Sequence, residues 1–542
     1  MNKSILFFSI FFVSFIMNAQ KPNDDIQKKI NQYKVVKLEV ALPEISNIER
    51  EGIRCLVRAA KEVNEIFKLQ SIVNYQSFFD SIKEPNIAKF FEINYGPWDR
   101  LDNNKPFLKG VGEKPKGAGF YPQDMTLKEF NELKDSTKNS PYTVLKRENG
   151  QLVVVPYNIE YISQIQEAFQ YLNMASEMIN DPYLAPYLKA RALALITNEY
   201  DESDRIWMDM MGNKYEIIIG PIENYEDQLL GIKTSFEAYV LIKDLEWSKR
   251  LEKYVAYLPE LQKNLPVDAA YKKEKAGTNS QIGAYDAIYY AGDCNAGSKT
   301  MAVNLPNDET LQLEKGTKRL QIKNVMNAKF EHILMPISNV LIDSSQRKYI
   351  TFNAFFTNTM FHEVAHGLGI KNTINNKGTV RQALGPDYSA LEEGKADILG
   401  LFMVTQLFDK KILTEGELMD YYVTFMASIF RSVRFGASSA HGKANMIRFN
   451  YFKETGAFVR NDKTGTYKID FEKMKQSMNS LSALILKLQG DGDIEGVKNL
   501  INEKGKIAKE LQKDLDRLSQ LNIPVDLIFE QDEMSFDINF KR

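Results

Sequence analysis

The chain has 542 residues, enough for roughly two to four domains or two large lobes. Its 44% hydrophobic and 26% charged residues are an ordinary globular mixture, which excludes a mainly disordered chain, a collagen and a multi-span membrane protein. A net charge of -2 offers no basic excess for nucleic acid, and 2 Cys (Cys55 and Cys294) are too few for a disulfide framework or a thiolate metal cluster.

The N-terminus carries Lys3, a mostly apolar run over 5–17, and then Asn18-Ala19. These are the charged, apolar and small-residue parts of a secretory signal peptide over 1–19. The run would make about 20 Å of helix, short of the roughly 30 Å hydrocarbon core. No stable membrane anchor is expected, and the mature chain is expected to be periplasmic or secreted. That compartment permits a Cys55–Cys294 disulfide without requiring one.

Residues 21–90 read as helical, with Leu56, Ala59, Val63, Ile66 and Phe67 at helical spacing. Residues 94–125 are rich in Gly, Pro and aromatics and predict an ordered loop, because Trp98, Phe107, Phe120 and Tyr121 need burial. Thr126 with Glu129 three residues on is a capping box. A strand is expected at the start of 151–162, then helix over 160–198 with a break near Asp181-Pro182. Further on come a strand at 214–220, a helix at 236–262, strands and turns at 282–306, helices from 317 to about 520, and a strand-like tail.

The expected class is α+β with two lobes. A mixed N-terminal lobe spans 20–235, with 276–316 returning to it. A helical lobe spans 317–520, with 236–275, and 521–542 form the tail.

The chemistry concentrates in His362-Glu363-Val364-Ala365-His366, which holds two of only 4 His. On a helix the two imidazoles share one face and can reach one ion, and Glu363 can act as general base. A catalytic zinc site needs a third ligand and one open position. After 26 intervening residues (367–392), Glu393 and Asp397 again lie i and i+4, with apolar residues on both sides (Leu391, Ala396, Ile398, Leu399, Leu401 and Phe402) that make a mostly buried helix. Acids on such a helix need a partner. Glu393 is therefore the candidate third ligand, and Asp397 the acceptor that fixes a ligand imidazole. One Zn2+ per chain is expected, with cobalt or manganese as alternatives for the same donor set.

At these residues the chain resembles the dipeptidyl peptidase III family of zinc peptidases. Its second motif, EE-x-[RK]-A-[ED], is matched by Glu392-Glu393-Gly394-Lys395-Ala396-Asp397. Glu223-Asn224-Tyr225-Glu226-Asp227 is similar to the family's E-x-Y-x-D segment, and Asn304-Leu305-Pro306-Asn307 to its N-x-P-N segment. Residues 444–449 resemble A-H-M-x-x-R-F, and 94–100 are similar to bacterial relatives.

The resemblance implies a helical zinc lobe facing a β-containing lobe across a wide cleft. The reaction it implies is release of dipeptides from the N-terminus of short peptides. It assigns transition-state support to Tyr225 and to position Asn445, substrate binding to Glu223, Asn304, Asn307 and Arg448, and outer support of the metal to Glu392 and Asp397. Two departures stand out: a five-residue motif where most of the family has six, and Asn445 in place of a histidine. His441, one helical turn earlier, is the alternative to Asn445, although a surface role near Gly442 is its simpler reading. Two other functions remain open: a zinc-stabilised peptide-binding protein with a decayed site, and another zinc endopeptidase or hydrolase.

Overall fold

The computed structural model describes residues 22–38, 40, 45–275 and 280–531. The expected leader (1–19) and the end of the expected tail (532–542) lie outside the described residues.

The first long helix, α1 (Asn47–Ser71), starts at a capping box in which Ser46 and Glu49 satisfy each other's backbone N–H. Its stripe Leu56, Ala59, Val63, Ile66, Phe67 is fully buried. That stripe meets α2 (Ile162–Met178) and the central sheet. The expected break holds, since Leu184–Thr197 resumes the helix after Asp181-Pro182. The Thr126–Glu129 capping box is also present.

The sheet has five strands: β1 (Tyr215–Glu223), β2 (Ser235–Asp244), β3 (Ser280–Gly292), β4 (Ala302–Leu305) and β5 (Thr317–Ile322). Their order is β1-β2-β3-β5-β4, and only the β3–β5 pair is parallel. Two expectations are corrected here. The stretch 236–262 is not one helix: β2 comes first, and helices Leu245–Val255 and Leu258–Lys263 follow. Phe236 to Ile242 is buried throughout, between α1 on one side and neighbouring strands, so it shows no alternation to separate strand from helix. Likewise 317–322 is strand, not the start of the helical region, and 458–461 pairs with 466–469 as a hairpin. The helix-rich part therefore begins at Lys323.

Residues 33–37, expected to be helical, form a strand that pairs in parallel with Asp526–Glu530 of the expected tail. Another hairpin joins Thr143–Glu148 to Gln151–Pro156. Cys55 and Cys294 are buried as thiols in separate elements, and no disulfide joins them. No helix among the described residues is long and apolar enough to cross a membrane.

The loop over 94–125 is ordered by burial, as its aromatics predict. Trp98, Phe120 and Tyr121 are buried, and Trp98 Nε1 donates to the Gly112 carbonyl at 2.9 Å. The loop also clamps the turn after β1. Arg100 donates twice to Glu226, at 2.9 and 3.0 Å, and Lys114 Nζ donates to it at 2.6 Å. Next door, Asp227 accepts the backbone N–H groups of Leu229, Leu230, Ile232 and Lys233 and the Tyr121 hydroxyl. Two carboxylates thus fold the turn that carries Tyr225.

Burial would raise the Glu226 carboxyl, but Arg100 and Lys114 bring it down to about 2. Its stabilisation is complete above its ordinary value of 4.5 and is lost as pH falls toward 2. Glu226→Gln strands two buried cations and should cost about 3–5 kcal/mol at pH 7. Urea unfolding of both proteins at pH 7 and pH 3 checks this: the gap should narrow at the lower pH.

Candidate metal centre

The motif helix, α3 (Phe352–Ala365), starts at Thr351, whose side chain accepts from Ala354 N. Its buried aromatics anchor it: Phe356 lies 4.5 Å from Trp247 and Phe361 5.3 Å from Tyr254, centroid to centroid. His362 is in the last turn and His366 caps it. The chain then turns out at Gly369, whose φ of +87° favours glycine.

Helix α4 (Tyr388–Asp409) lies against α3, with Leu391, Ala396, Ile398 and Leu399 buried. The close approach depends on Gly400. A Cβ there would lie 2.9 Å from His362 N and 3.0 Å from the Phe361 carbonyl carbon. The backbone of α4 thus touches α3 at the first ligand, and Glu393 comes within reach of both imidazoles.

His362, His366 and Glu393 each bring one ligand atom within 4.8 Å of the others. Glu393 Oε2 is 3.4 Å from His362 Nε2 and 3.9 Å from His366 Nε2. It is buried and has no hydrogen-bond partner. Two nitrogens and an orphaned carboxylate oxygen converging on one point fit a tetrahedral cation with one corner open to the cleft.

The other ring nitrogens are held by carboxylates. Asp397 Oδ1 lies 2.7 Å from His362 Nδ1, and Glu392 Oε1 lies 3.0 Å from His366 Nδ1. Each acceptor fixes Nδ1 as the protonated nitrogen and leaves Nε2 for the ion. Each carboxylate is in turn backed by a cation. Arg448 is buried and pairs with Asp397, and Lys395 pairs with Glu392 at 2.7 Å. Burial alone would raise Glu392, but Lys395 and His366 bring it down to about 2. Lys395 also donates to the Leu368 carbonyl (2.9 Å) at the exit of α3, a cation at a helix C-terminus.

A cleft of about 1730 Å³ opens in front of this group, between the helical part and the sheet. Glu363 faces it, as do Glu223, Tyr225, Asn304 and Asn307. Glu223 ends β1; burial raises its carboxyl, and its neighbours Asn307 and Tyr225 pull it the other way, while Asn307 Nδ2 donates to the Ile222 carbonyl at 3.1 Å. The Tyr225 ring is exposed, and its hydroxyl is pushed up by Glu223 first and by burial next, so it stays a donor. Asn304 Oδ1 is buried without a partner.

Two expected residues sit elsewhere. Asn445 and Arg448, on helix α5 (Ala440–Thr455), are buried and do not line the cleft. Asn445 Nδ2 donates to Ser432 Oγ and the His441 carbonyl, and its Oδ1 accepts from Arg448 at 2.6 Å. Both residues act behind the site, holding Asp397 against His362. His441 is the one that faces the cleft; its side chain is exposed, so it is a surface histidine on the cleft wall. Its Nε2 is 3.2 Å from Glu393 Oε2, and its ring lies 6.3 Å from that of His362, inclined by 29°.

Sequence reasoning also missed Gly400, Glu237 and Asp293. A glycine inside an apolar helix pattern was the available signal for a close backbone approach. Glu237 and Asp293 line the cleft and are raised, mainly by burial, Asp293 to about 7.

The chain matches the family model described as peptidase family M49 over residues 135–381. It is similar to the solved structure of DPP III from Caldithrix abyssi, at 36% identity and a TM-score of 0.91 over 94% of this chain and 99% of that one. The structure of dipeptidyl-peptidase III from Corallococcus sp. strain EGB matches at 34% identity and a TM-score of 0.83, over 96% and 98% of the two chains. A protein of Arabidopsis thaliana named Nudix hydrolase 3 is 35% identical over 94% of this chain and 74% of its own length.

The Gly400 contact makes a direct prediction. Gly400→Val should destabilise the protein by about 1–3 kcal/mol through overpacking, and should also weaken metal retention, because it pushes α4 and Glu393 off α3. Thermal melting and metal content after dialysis against a weak chelator read the two effects separately.

Proposed function

This chain belongs to peptidase family M49, the dipeptidyl peptidase III family, and on that footing we propose that His362, His366 and Glu393 hold one zinc ion. The protein is a metallopeptidase that releases dipeptides from peptides. The observation that carries the zinc assignment is Glu393 Oε2, buried, without a hydrogen bond and facing the Nε2 atoms of His362 and His366, with His441 Nε2 at 3.2 Å on the cleft side.

Bound there, zinc would polarise the scissile carbonyl and acidify water toward neutral pH. Glu363 takes a proton from the attacking water and delivers it to the leaving amine as the C–N bond breaks. Asp397 and Glu392 hold the two ligand rings in one tautomer throughout. Tyr225 and His441 reach into the cleft from opposite walls, and both can donate to the oxyanion. His441, rather than Asn445, takes the place of the family histidine. Glu223, Asn304 and Asn307 receive the free N-terminus and the first backbone groups of a short peptide. The acids lining that end of the cleft, Glu237 and Asp293 among them, favour an ammonium group. The apolar leader over 1–19 supports export, so the mature enzyme works in the periplasm or outside the cell.

The purified protein should hold about one zinc per chain. Glu363→Gln should keep that zinc, measured by mass spectrometry, and lose at least about 100-fold in hydrolysis of a peptide with a free N-terminus. Acetylating that N-terminus should abolish turnover by the native enzyme. A metal-loaded Glu363→Gln variant of native rate would refute the assignment.

His441→Ala should lower kcat by about 100-fold with little change in KM, as loss of an oxyanion donor does. Asn445→Ala should instead lower the melting temperature and zinc retention, since its role is to hold Arg448. Steady-state kinetics beside thermal melts of both variants separate these outcomes.

A further inference from the structure

On the cleft face of the sheet one cation has no counter-ion among the described residues. Arg319, on β5, is only 6% exposed, and its Nε has no hydrogen-bond partner. Burial pushes its guanidinium below its ordinary range, and Glu363 is the acid that pulls the other way. Other buried cations among the described residues are paired or donate to carbonyls, as Lys329 does with Asp526 and Lys318 with the Met210 carbonyl; Arg431, whose Nε is also without a hydrogen bond, lies over the Phe355 ring. An unpaired buried guanidinium is costly, and its fork of donors matches a carboxylate.

Its position is set from two sides. The antiparallel β4–β5 register puts Arg319 directly opposite Asn304, so the two side chains share a face, and both line the cleft. From the helical side, a Cβ on Gly367, the residue after His366, would lie 3.6 Å from Arg319 Nη2. The guanidinium therefore reaches the exit of the motif helix, beside the metal group and Glu363. Glu223 and the other cleft acids do not neutralise it.

Hydrolysis creates one new anion at that place. Water adds its oxygen to the acyl carbon, the C–N bond breaks, and both protons of the water pass by way of Glu363 to the amine nitrogen, so the amine leaves as an ammonium and the acyl fragment as a carboxylate. We propose that Arg319 is a substrate-binding residue that donates to the scissile carbonyl oxygen and then holds the new carboxylate of the released dipeptide. This rests on the peptidase reading. It adds a cause of product retention, because a dipeptide anchored at its ammonium end by acids and at its carboxylate by Arg319 fits the cleft at both ends.

The test is calorimetric and needs no turnover. Ala-Ala and Ala-Ala amide are titrated into the zinc-loaded protein and into Arg319→Gln, with metal content and melting temperature recorded for each. The free acid should bind the native protein at least about 10-fold more tightly than the amide, the gain of one charge-assisted pair. Arg319→Gln should reduce that ratio several-fold, whereas Arg319→Lys should keep part of it. A native ratio near one, no binding of the acid at millimolar concentration, or a ratio unchanged in a zinc-loaded Arg319→Gln protein overturns the proposal. If Arg319→Gln does not fold, Arg319→Lys decides: a ratio left at the native value overturns the proposal, and a reduced one supports it. Failure of the peptidase reading shows separately, as absence of peptide hydrolysis by the native protein.

Discussion

The contact of two helix backbones at Gly400 is the constraint on which the site depends. A carboxylate side chain is short, and Glu393 can meet two imidazoles of another helix only if the axes come closer than ordinary side chains permit. Helix packing usually leaves 8–10 Å between axes, adjusted by the residues at the contact. Here the smallest residue stands against the His362 amide itself. Packing and coordination are therefore one feature: the apolar faces that drive α3 onto α4 also assemble the ligand atoms.

Around that contact, charge alternates in layers. The imidazoles meet Asp397 and Glu392, and these meet Arg448 and Lys395. In a low-dielectric interior each layer makes the next tolerable, since a buried carboxylate next to a neutral imidazole would otherwise lose hydration without return. Asn445 belongs to this scheme, one layer further out. The helix that presents it also presents His441, one turn nearer the cleft, so losing a histidine at 445 leaves the cleft wall with an imidazole.

How much of this was legible depended on whether the signal was local. The HEVAH and EEGKAD stretches could be read because one helical turn fixes which side chains share a face, and the burial of their neighbours forces the acids to find partners. The α+β class followed from the change of periodicity along the chain. Strand β2 was misread because a strand covered on both faces has no alternation. Strand β5 was misread in the same way, next to a long helical region. Asn445 and Arg448 were placed toward substrate by likeness of residues 444–449 to a motif, which carries no information about rotation of the helix. The direction of a side chain on a helix of mixed polarity is a tertiary fact. So is the solitary charge of Arg319, which reads in sequence as one more basic residue beside Lys318 at the start of a helical region.

The walls of the cleft differ in how they hold their working groups. The candidate metal ligands stand on long helices whose rotamers are fixed by packing and by hydrogen bonds behind them, which is what a coordination geometry needs. Tyr225 stands on a turn, and its ring is exposed. That turn is kept in shape from beneath by Glu226 and Asp227, whose partners come from the loop over 94–125 and from the turn's own backbone. A tyrosine so mounted can adjust to a substrate while its anchor stays fixed. The charges of the cleft give the bound peptide a direction. Glu223, Glu237 and Asp293, carboxyls that burial raises and that an arriving ammonium would help to ionise, line the sheet side, and Arg319 sets a positive group against the exit of α3. An ammonium is drawn to the first and a carbonyl to the second, so a peptide entering the other way round would set like charges together.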